Sequence, residues 1–215
     1  MPRVALIHAV AHSIAPVNDE LVRVWPSCRR MNILDDSLSS DLAQSSTGLD
    51  DAFHARFLRL AEYAVSNGAD GLLFSCSAFG PCIDTVARHY AALPVLKPNE
   101  AMIAEATSRG HRIGLVATFR PTLESMPAEF PAGTDLRLGL ASNAMAALND
   151  GDLARHHALI AECAQQLVDE GCDLIALAQF SMTAAQPVVA ARCGVPVLTT
   201  VGSAVRALRA RFASD

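Results

Sequence analysis

The chain has 215 residues, 51% of them hydrophobic, and a formal net charge of −5 at pH 7. This length suits one large α/β domain or two smaller lobes, and the apolar content is enough for a substantial core. Because the net charge is negative and Lys and Arg are scattered, the composition argues against binding nucleic acid or an anionic membrane surface.

Neither targeting nor metal binding is indicated. The opening "MPRVALIHAV" is apolar too briefly for a signal peptide, and no apolar run is long enough to cross a bilayer. We therefore expect a cytoplasmic protein. No two of the six cysteines form a C-x-x-C pair, so we predict mostly reduced, packed thiols and no metal site.

Short apolar runs alternate with amphipathic patterns along the chain. They predict strands at 3–10, 70–75, 93–96, 111–118, 135–140, 173–178 and 195–198, and helices at 50–67, 81–91, 99–109, 121–127, 152–170, 183–192 and 201–213. This alternation predicts an α/β fold with mainly parallel sheets covered by helices. The Ser-rich stretch 26–50 is predicted to be a surface loop or one that covers the active site, with disorder as the alternative.

An internal repeat refines this fold prediction. Residues 67–96 and 170–198 each begin with a helix end and Gly-x-Asp, and each ends in Pro-Val-Leu. We expect two similar, pseudo-twofold related lobes, the first formed by 1–96 with the helix 201–213 and the second by 97–200. The active site should lie in the cleft between them, beyond the carboxyl ends of the strands.

Cys76 is the first candidate for chemistry, since it lies in "SCSAFGP" where a strand gives way to a helix. A thiol near the N-terminus of a helix has a lowered pKa and supplies thiolate near neutral pH. Ser75, Ser77 and nearby backbone amides would then hold a substrate carboxylate. The alternative at this point is a buried, inert cysteine at a strand end.

Three motifs carry a resemblance to a known family. The loop "SCSAFG", the strand and turn "IGLVATFRPT" and the stretch "DLIALAQFSM" resemble the aspartate/glutamate/hydantoin racemase superfamily over nearly the whole chain. This superfamily includes amino-acid, hydantoin and allantoin racemases, maleate isomerase and arylmalonate decarboxylase. The resemblance implies a small carboxylate or amino-acid derivative as substrate, no cofactor, and a homo-oligomer.

One departure from the family concerns the second catalytic cysteine. The family's two-base racemases use one cysteine from each lobe, and Cys76 matches the first. Gln179 stands at the second position, so the chain resembles a single-cysteine variant. Cys172, before a strand, and Cys193, at a helix end, are expected in the core.

Three explanations remain open for this departure. In the first, His12 supplies the second proton, because histidine titrates in the useful range. In the second, one thiol suffices, either as the proton donor of a decarboxylase or as a nucleophile that isomerises a double bond. In the third, catalysis has been lost and a carboxylate-binding protein remains.

Other polar residues follow the predicted strands and complete the expected substrate site. They are Ser13 and Asn18 after the first strand, Thr118, Arg120 and Thr122 after 111–118, and Gln179, Ser181 and Thr183 after 173–178. The Gln179 amide suits a carboxylate or carbonyl oxygen. His8 lies inside the first strand and is expected to be a buried residue with its hydrogen bonds satisfied.

Overall fold

The computed structural model describes residues 1–213, which form two compact units. Unit 1 comprises residues 1–98 together with the C-terminal segment from Ala204, and unit 2 comprises residues 99–203. Unit 1 is therefore discontinuous in the sequence.

Unit 1 is a four-stranded parallel sheet with helices between its strands. Its elements are β1 (Arg3–His8), α1 (Ile14–Val24), β2 (Arg29–Leu34), α2 (Leu38–Gln44), α3 (Asp51–Ser66), β3 (Gly71–Phe74), α4 (Gly80–His89) and β4 (Val95–Leu96). The strand order is β2-β1-β3-β4. Short 3-10 turns at Ala11–Ser13 and Ser77–Phe79 follow β1 and β3.

Unit 2 repeats this arrangement. Its elements are α5 (Glu100–Arg109), β5 (Arg112–Ala117), α6 (Arg120–Ser125), β6 (Asp135–Leu140), α7 (Ala144–Asn149), α8 (Leu153–Asp169), β7 (Leu174–Leu177), α9 (Gln186–Cys193) and β8 (Val197–Thr199). The parallel order β6-β5-β7-β8 has the same connectivity as unit 1. The last helix, α10 (Thr200–Arg211), begins in unit 2 and ends in unit 1.

The central strands form because their uninterrupted apolar runs can be buried on both faces of a parallel sheet. Every residue of β3 and of β7 is buried. In unit 1 the ring of Phe57 stacks on Phe74 and contacts Phe79, with centroid distances of 5.5 and 5.0 Å. This aromatic cluster fixes α3 against the sheet close to the carboxyl end of β3.

The Gly-x-Asp motif of the repeat has the same structural cause in both units. Gly68 and Gly171 follow the ends of α3 and α8 with φ of 78° and 93°, a backbone conformation that favours glycine. Asp70 then accepts a backbone amide at the start of β1 at 2.7 Å, and Asp173 accepts one at the start of β5 at 3.1 Å. Each aspartate thus ties a helix end to the central strand of its own sheet.

The prediction of a loop or disorder over 26–50 is wrong for much of that segment. It contains the edge strand β2 and the helix α2. The strand escaped prediction because its sequence "RRMNIL" is charged and only alternate residues are partly buried, as expected at a sheet edge. The short helix α2 buries one residue, Leu38. The helices α1 and α7 were also not predicted.

Among the described residues, no helix combines the length and apolar character that a bilayer crossing requires.

Candidate active site

Cys76 is the one cysteine of the six that is not buried. It follows β3 with extended backbone (φ −123°, ψ 117°) and immediately precedes the turn Ser77–Phe79 that leads into α4. Pro81 occupies the first turn of α4, as the sequence predicts. The two-step transition from strand to turn to helix brings the thiol to the carboxyl edge of the unit 1 sheet.

The surroundings of Cys76 are apolar. Together with Ile7, Ala9, Leu38, Phe57, Phe74 and the strand residue His8, it lines a narrow crevice in unit 1. The residue also contacts the apolar cluster to which Leu38, Phe57 and Phe74 belong.

This environment corrects the prediction of an acidic thiol. Burial raises the pKa of Cys76 above its ordinary value, and the backbone amide of Ala78 acts in the opposite direction but does not outweigh burial. Three residues separate Cys76 from the start of α4 at Gly80, and a single backbone amide faces the thiol. The thiol is therefore held in its protonated form at neutral pH, which suits a proton donor.

A polar chain of hydrogen bonds runs through His8, beside the crevice. His8 is 1% exposed, and its Nδ1 lies 3.0 Å from Ser75 Oγ while its Nε2 lies 3.1 Å from Asn32 Oδ1. Because Asn32 presents its carbonyl oxygen, Nε2 is the donor, and Nδ1 accepts from the Ser75 hydroxyl. Burial lowers the pKa of His8, although the bond to Asn32 opposes the shift. The ring is thus kept neutral, and the prediction that His8 is buried and satisfied is confirmed.

Asn18, a predicted substrate contact, belongs to this chain of bonds. Its Nδ2 donates to Asn32 Oδ1 at 2.9 Å and to the carbonyl oxygen of Ile14 at 2.7 Å. Sequence reasoning missed Asn32, which lies on the unpredicted strand β2. Ser75 is likewise held by His8, so this hydroxyl is oriented by the protein.

The remaining predicted residues of unit 1 lie at its surface or just below it. His12 is exposed in the turn Ala11–Ser13, and Ser13 is buried there. Ser77 is exposed in the turn after Cys76. No described hydrogen bond or ion pair links His12 to Cys76, so the assignment of His12 as the second base remains a prediction.

Gln179 occupies in unit 2 the position that Cys76 has in unit 1. Each follows the last residue of its strand by two positions and precedes a 3-10 turn, with φ of −123° and −130°. Gln179 Oε1 accepts the backbone N–H of Thr118 at 2.7 Å and the Thr118 hydroxyl at 3.0 Å. The amide oxygen is therefore engaged, and the Nε2 group remains as the donor that the side chain can offer a ligand.

The other predicted residues of unit 2 differ in how far their side chains are buried. Arg120 is exposed at the first position of α6, and Thr122 is partly buried in the same helix. Ser181 and Thr183 lie in the turn Phe180–Ala185 that follows Gln179. The hydroxyl oxygen of Thr183 is buried without a hydrogen-bond partner among the described residues, so a bound ligand would have a polar atom to satisfy there.

The other cysteines lie in the core. Cys82 is fully buried in α4, and Cys172 and Cys193 are buried in unit 2, as predicted. Burial raises the pKa of Cys82 to about 11. Within residues 1–213, no group of three or more His, Cys, Asp or Glu side chains is arranged to hold a metal ion.

Known proteins share the fold of these two repeated units. The profile of the family described as Asp/Glu/Hydantoin racemase matches residues 17–208. The chain belongs to this family. No curated protein sequence matches it significantly.

Solved structures of the family share the fold. Allantoin racemase from Klebsiella pneumoniae superposes with a TM-score of 0.76 at 19% identity, covering 100% of this chain and 89% of that chain. An aspartate racemase homologue from Pyrococcus horikoshii gives 0.74 at 13% identity, with 100% of both chains covered. Unliganded arylmalonate decarboxylase gives 0.68 at 16% identity, covering 98% of this chain and 92% of that chain. The two four-stranded parallel sheets thus form the α/β racemase fold.

Proposed function

We propose that this racemase-family protein is a cofactor-independent enzyme of the isomerase or racemase type, which acts on a small carboxylic acid or amino-acid derivative through Cys76. The observation that supports the proposal is the partial exposure of this thiol: the other five cysteines are buried, and Cys76 follows β3 at the carboxyl edge of the unit 1 sheet. That edge is where α/β folds bind their ligands.

The chemistry assigned to Cys76 is proton transfer at carbon. In isomerisation or racemisation a base, assigned to His12, first removes the substrate's α-proton and leaves a carbanion or enediolate. The Cys76 thiol then gives its proton to that carbon, so that a C–H bond forms and a thiolate remains. In the reverse direction the thiolate removes that proton. The negative charge of the intermediate is delocalised from the carbon onto the oxygens of the adjacent carboxylate. Hydrogen-bond donors stabilise that charge, which is the general requirement for such an intermediate.

Gln179 is assigned to carboxylate or carbonyl binding in the same reaction, because it holds the equivalent position of the repeat. Its oxygen is engaged by Thr118, and its Nε2 group donates. An amide neither gives nor takes a proton near neutral pH, so this residue does not act as a second base.

A second candidate function is decarboxylation of a malonate-type acid. The raised pKa of Cys76 favours it, because a thiol that stays protonated at neutral pH is ready to donate. The bond to the leaving carboxylate breaks, carbon dioxide departs, and its electron pair stays on the α-carbon as an enediolate. Cys76 then delivers its proton to one face, and the thiolate regains a proton from water.

The test is proton NMR in deuterium oxide with a panel of amino acids, hydantoins, maleate and substituted malonates. We expect deuterium exchange, isomerisation or loss of a carboxylate with the unmodified protein, and none with Cys76→Ala. Cys82→Ala is the matched control, because it removes a buried thiol from the adjoining helix. Racemisation or isomerisation supports the first function, and release of carbon dioxide supports the second.

Two outcomes would overturn the assignment. Turnover that survives Cys76→Ala would remove Cys76 from the mechanism. Absence of turnover, combined with ligand affinity that Cys76→Ala leaves unchanged in calorimetry, would identify a carboxylate-binding protein. His12→Ala is measured beside these variants, and an unaltered rate of deuterium incorporation would exclude His12 as the second base.

A further inference from the structure

Arg56 of α3 binds three side chains at the start of α2: Asp35 and Ser37 precede this helix, and Asp41 lies within it. Its Nε and Nη2 donate to the two carboxylate oxygens of Asp35 at 2.6 and 2.5 Å, and its Nη1 donates to Asp41 at 2.6 Å. Nη2 also donates to the Ser37 hydroxyl at 2.5 Å. All three nitrogens of the guanidinium are thus used. We refer to Asp35, Ser37, Asp41 and Arg56 as the Arg56 clamp.

The clamp is partly shielded from solvent. The side chains of Arg56 and Asp35 are 24% and 20% exposed, and Asp41 is 49% exposed. Burial acts to raise the pKa of Asp35, but the hydrogen bonds from Arg56 and Ser37 outweigh it, and this pKa is lowered. Two parallel N–H···O bonds between a guanidinium and a carboxylate fix orientation as well as distance.

The segment held by the clamp forms one wall of the crevice that contains Cys76. The helix α2 buries a single residue, Leu38, which is 1% exposed and lines the crevice beside Phe57, Phe74 and Cys76. Phe57 follows Arg56 directly in α3. The clamp and the crevice therefore share one turn of α3.

The helix α2 has little else to hold it in place. It is seven residues long, far below the length at which a helix is stable by itself, and it buries only Leu38 fully, with the partly buried Leu42 packed against the same apolar cluster. Two carboxylates, Asp35 and Asp41, would repel each other across its first turn without the arginine. Arg56 pairs with both carboxylates, on either side of Leu38 in the sequence.

We propose that Arg56 is a positioning residue that fixes Leu38 against the crevice and thereby controls access to the Cys76 thiol. The consequence for catalysis rests on the function proposed above. Access itself does not, because it is measured without a substrate.

The experiment follows alkylation of the cysteines by iodoacetamide, with the modified positions identified by mass spectrometry. The rate at Cys76 is recorded from pH 6 to pH 10, so that the limiting rate at high pH reports access and the midpoint reports the thiol pKa. We expect Arg56→Met to raise the limiting rate about fivefold, the change in population that a loss of ~1 kcal/mol produces. Arg56→Lys keeps the charge without the planar fork and should give an intermediate rate.

Arg59→Met is the matched control, since Arg59 is an exposed arginine one turn along the same helix. It should leave the rate at Cys76 unchanged. High ionic strength should raise the rate in the unmodified protein and not in Arg56→Met, because salt screens the pairs that only the former contains.

The buried cysteines separate access from unfolding. The proposal requires a gain confined to Cys76, while Cys28 and Cys82 of the same unit stay protected. If all cysteines gain together in Arg56→Met, Leu38→Ala decides, because it opens the crevice wall and leaves the clamp in place. An unchanged rate at Cys76 in Arg56→Met, or no selective gain at Cys76 in either variant, would overturn the proposal. Loss of turnover in Cys76→Ala is a separate result and does not affect this one.

Discussion

Gln179 and Thr118 are joined by two hydrogen bonds that end on one atom, since Gln179 Oε1 accepts both the backbone amide and the hydroxyl of Thr118. These two bonds engage the oxygen of the Gln179 amide, so its Nε2 group is the end that can donate to a ligand. Thr118 was expected to bind a substrate carboxylate with these two donors. In the structure they bind the side chain of Gln179, which occupies in unit 2 the position that Cys76 has in unit 1.

The first prediction uses this orientation. Gln179→Glu keeps an acceptor for Thr118 but replaces the Nε2 donor with a negatively charged oxygen. On the proposed function we expect KM for a carboxylate substrate to rise at least about tenfold, as for loss of a hydrogen bond to a charged group. Steady-state kinetics measure the change. Ser181→Ala, in the following turn, serves as the comparison, and an unaltered KM in Gln179→Glu would remove Gln179 from substrate binding.

The second prediction concerns the single thiol. Gln179→Cys places a thiol at the position equivalent to Cys76, which supplies the proton-transfer group that the amide lacks. We expect product formed in deuterium oxide to lose stereochemical purity relative to the unmodified enzyme. Chiral chromatography of the product gives the readout, and Gln179→Ala controls for loss of the amide. Equal stereochemical purity in the unmodified enzyme and both variants would contradict the assignment of Gln179.

The third prediction follows from the neutral, buried His8. Its pKa is lowered by burial, and the pKa of His157 is lowered by burial and by His156, so the unfolded chain binds more protons than the folded one below about pH 6.5. The contribution of these two histidines to the free energy of unfolding is therefore fully present above this pH, and it falls on acidification. Urea unfolding at pH 7.5, 6.5 and 5.5 measures the slope.

A His8→Gln variant tests the contribution of this ring. We expect a weaker pH dependence, with part retained through His157, and a loss of about 1–3 kcal/mol at pH 7.5 because buried partners are left unpaired. His111→Gln, which changes an exposed histidine, is measured beside it as the comparison. An unchanged slope in His8→Gln would show that His8 does not titrate between these pH values.

The fourth prediction concerns close packing in unit 2. A Cβ on Gly139 of β6 would lie 2.7 Å from the sulfur of Cys163 and 2.9 Å from a methyl group of Leu167. Gly139→Ala should therefore destabilise the protein by about 1–3 kcal/mol. Gly80 has helical φ of −45° and open space around it, so Gly80→Ala should stabilise by about 0.4–1 kcal/mol. Urea unfolding measures both variants. Gly139→Ala as stable as the unmodified protein would contradict the first expectation, and Gly80→Ala no more stable than the unmodified protein would contradict the second.

Much of the fold was predictable because the central strands are buried on both faces and therefore read as continuous apolar runs. The Gly-x-Asp motif also revealed the repeat, since positive φ and the amide-binding carboxylate recur at Asp70 and Asp173. The strand β2 was missed because an edge strand needs few apolar residues. Because β2 was missed, Asn32 on this strand and its bond to His8 were also missed.

The site was predictable only as far as local sequence determines it. The position of Cys76 at a strand end and its equivalence to Gln179 follow from the order of elements. The direction of the Cys76 pKa does not, because burial by Leu38 and Phe57 comes from residues 19 and more positions away. For the same reason the bonds between Thr118 and Gln179, 61 positions apart, had no sequence signal.

The discontinuity of unit 1 sets an order for its synthesis. Trp25 contacts the ring of Phe212 at a centroid distance of 5.4 Å, and Arg209 donates to the carbonyl oxygen of Val24, so residues that follow unit 2 in the sequence pack against the N-terminal part of unit 1. Unit 2 is contained in a single stretch and leaves the ribosome whole before that packing. The nascent N-terminal part of unit 1 therefore acquires these contacts only after every residue of unit 2 has been synthesised.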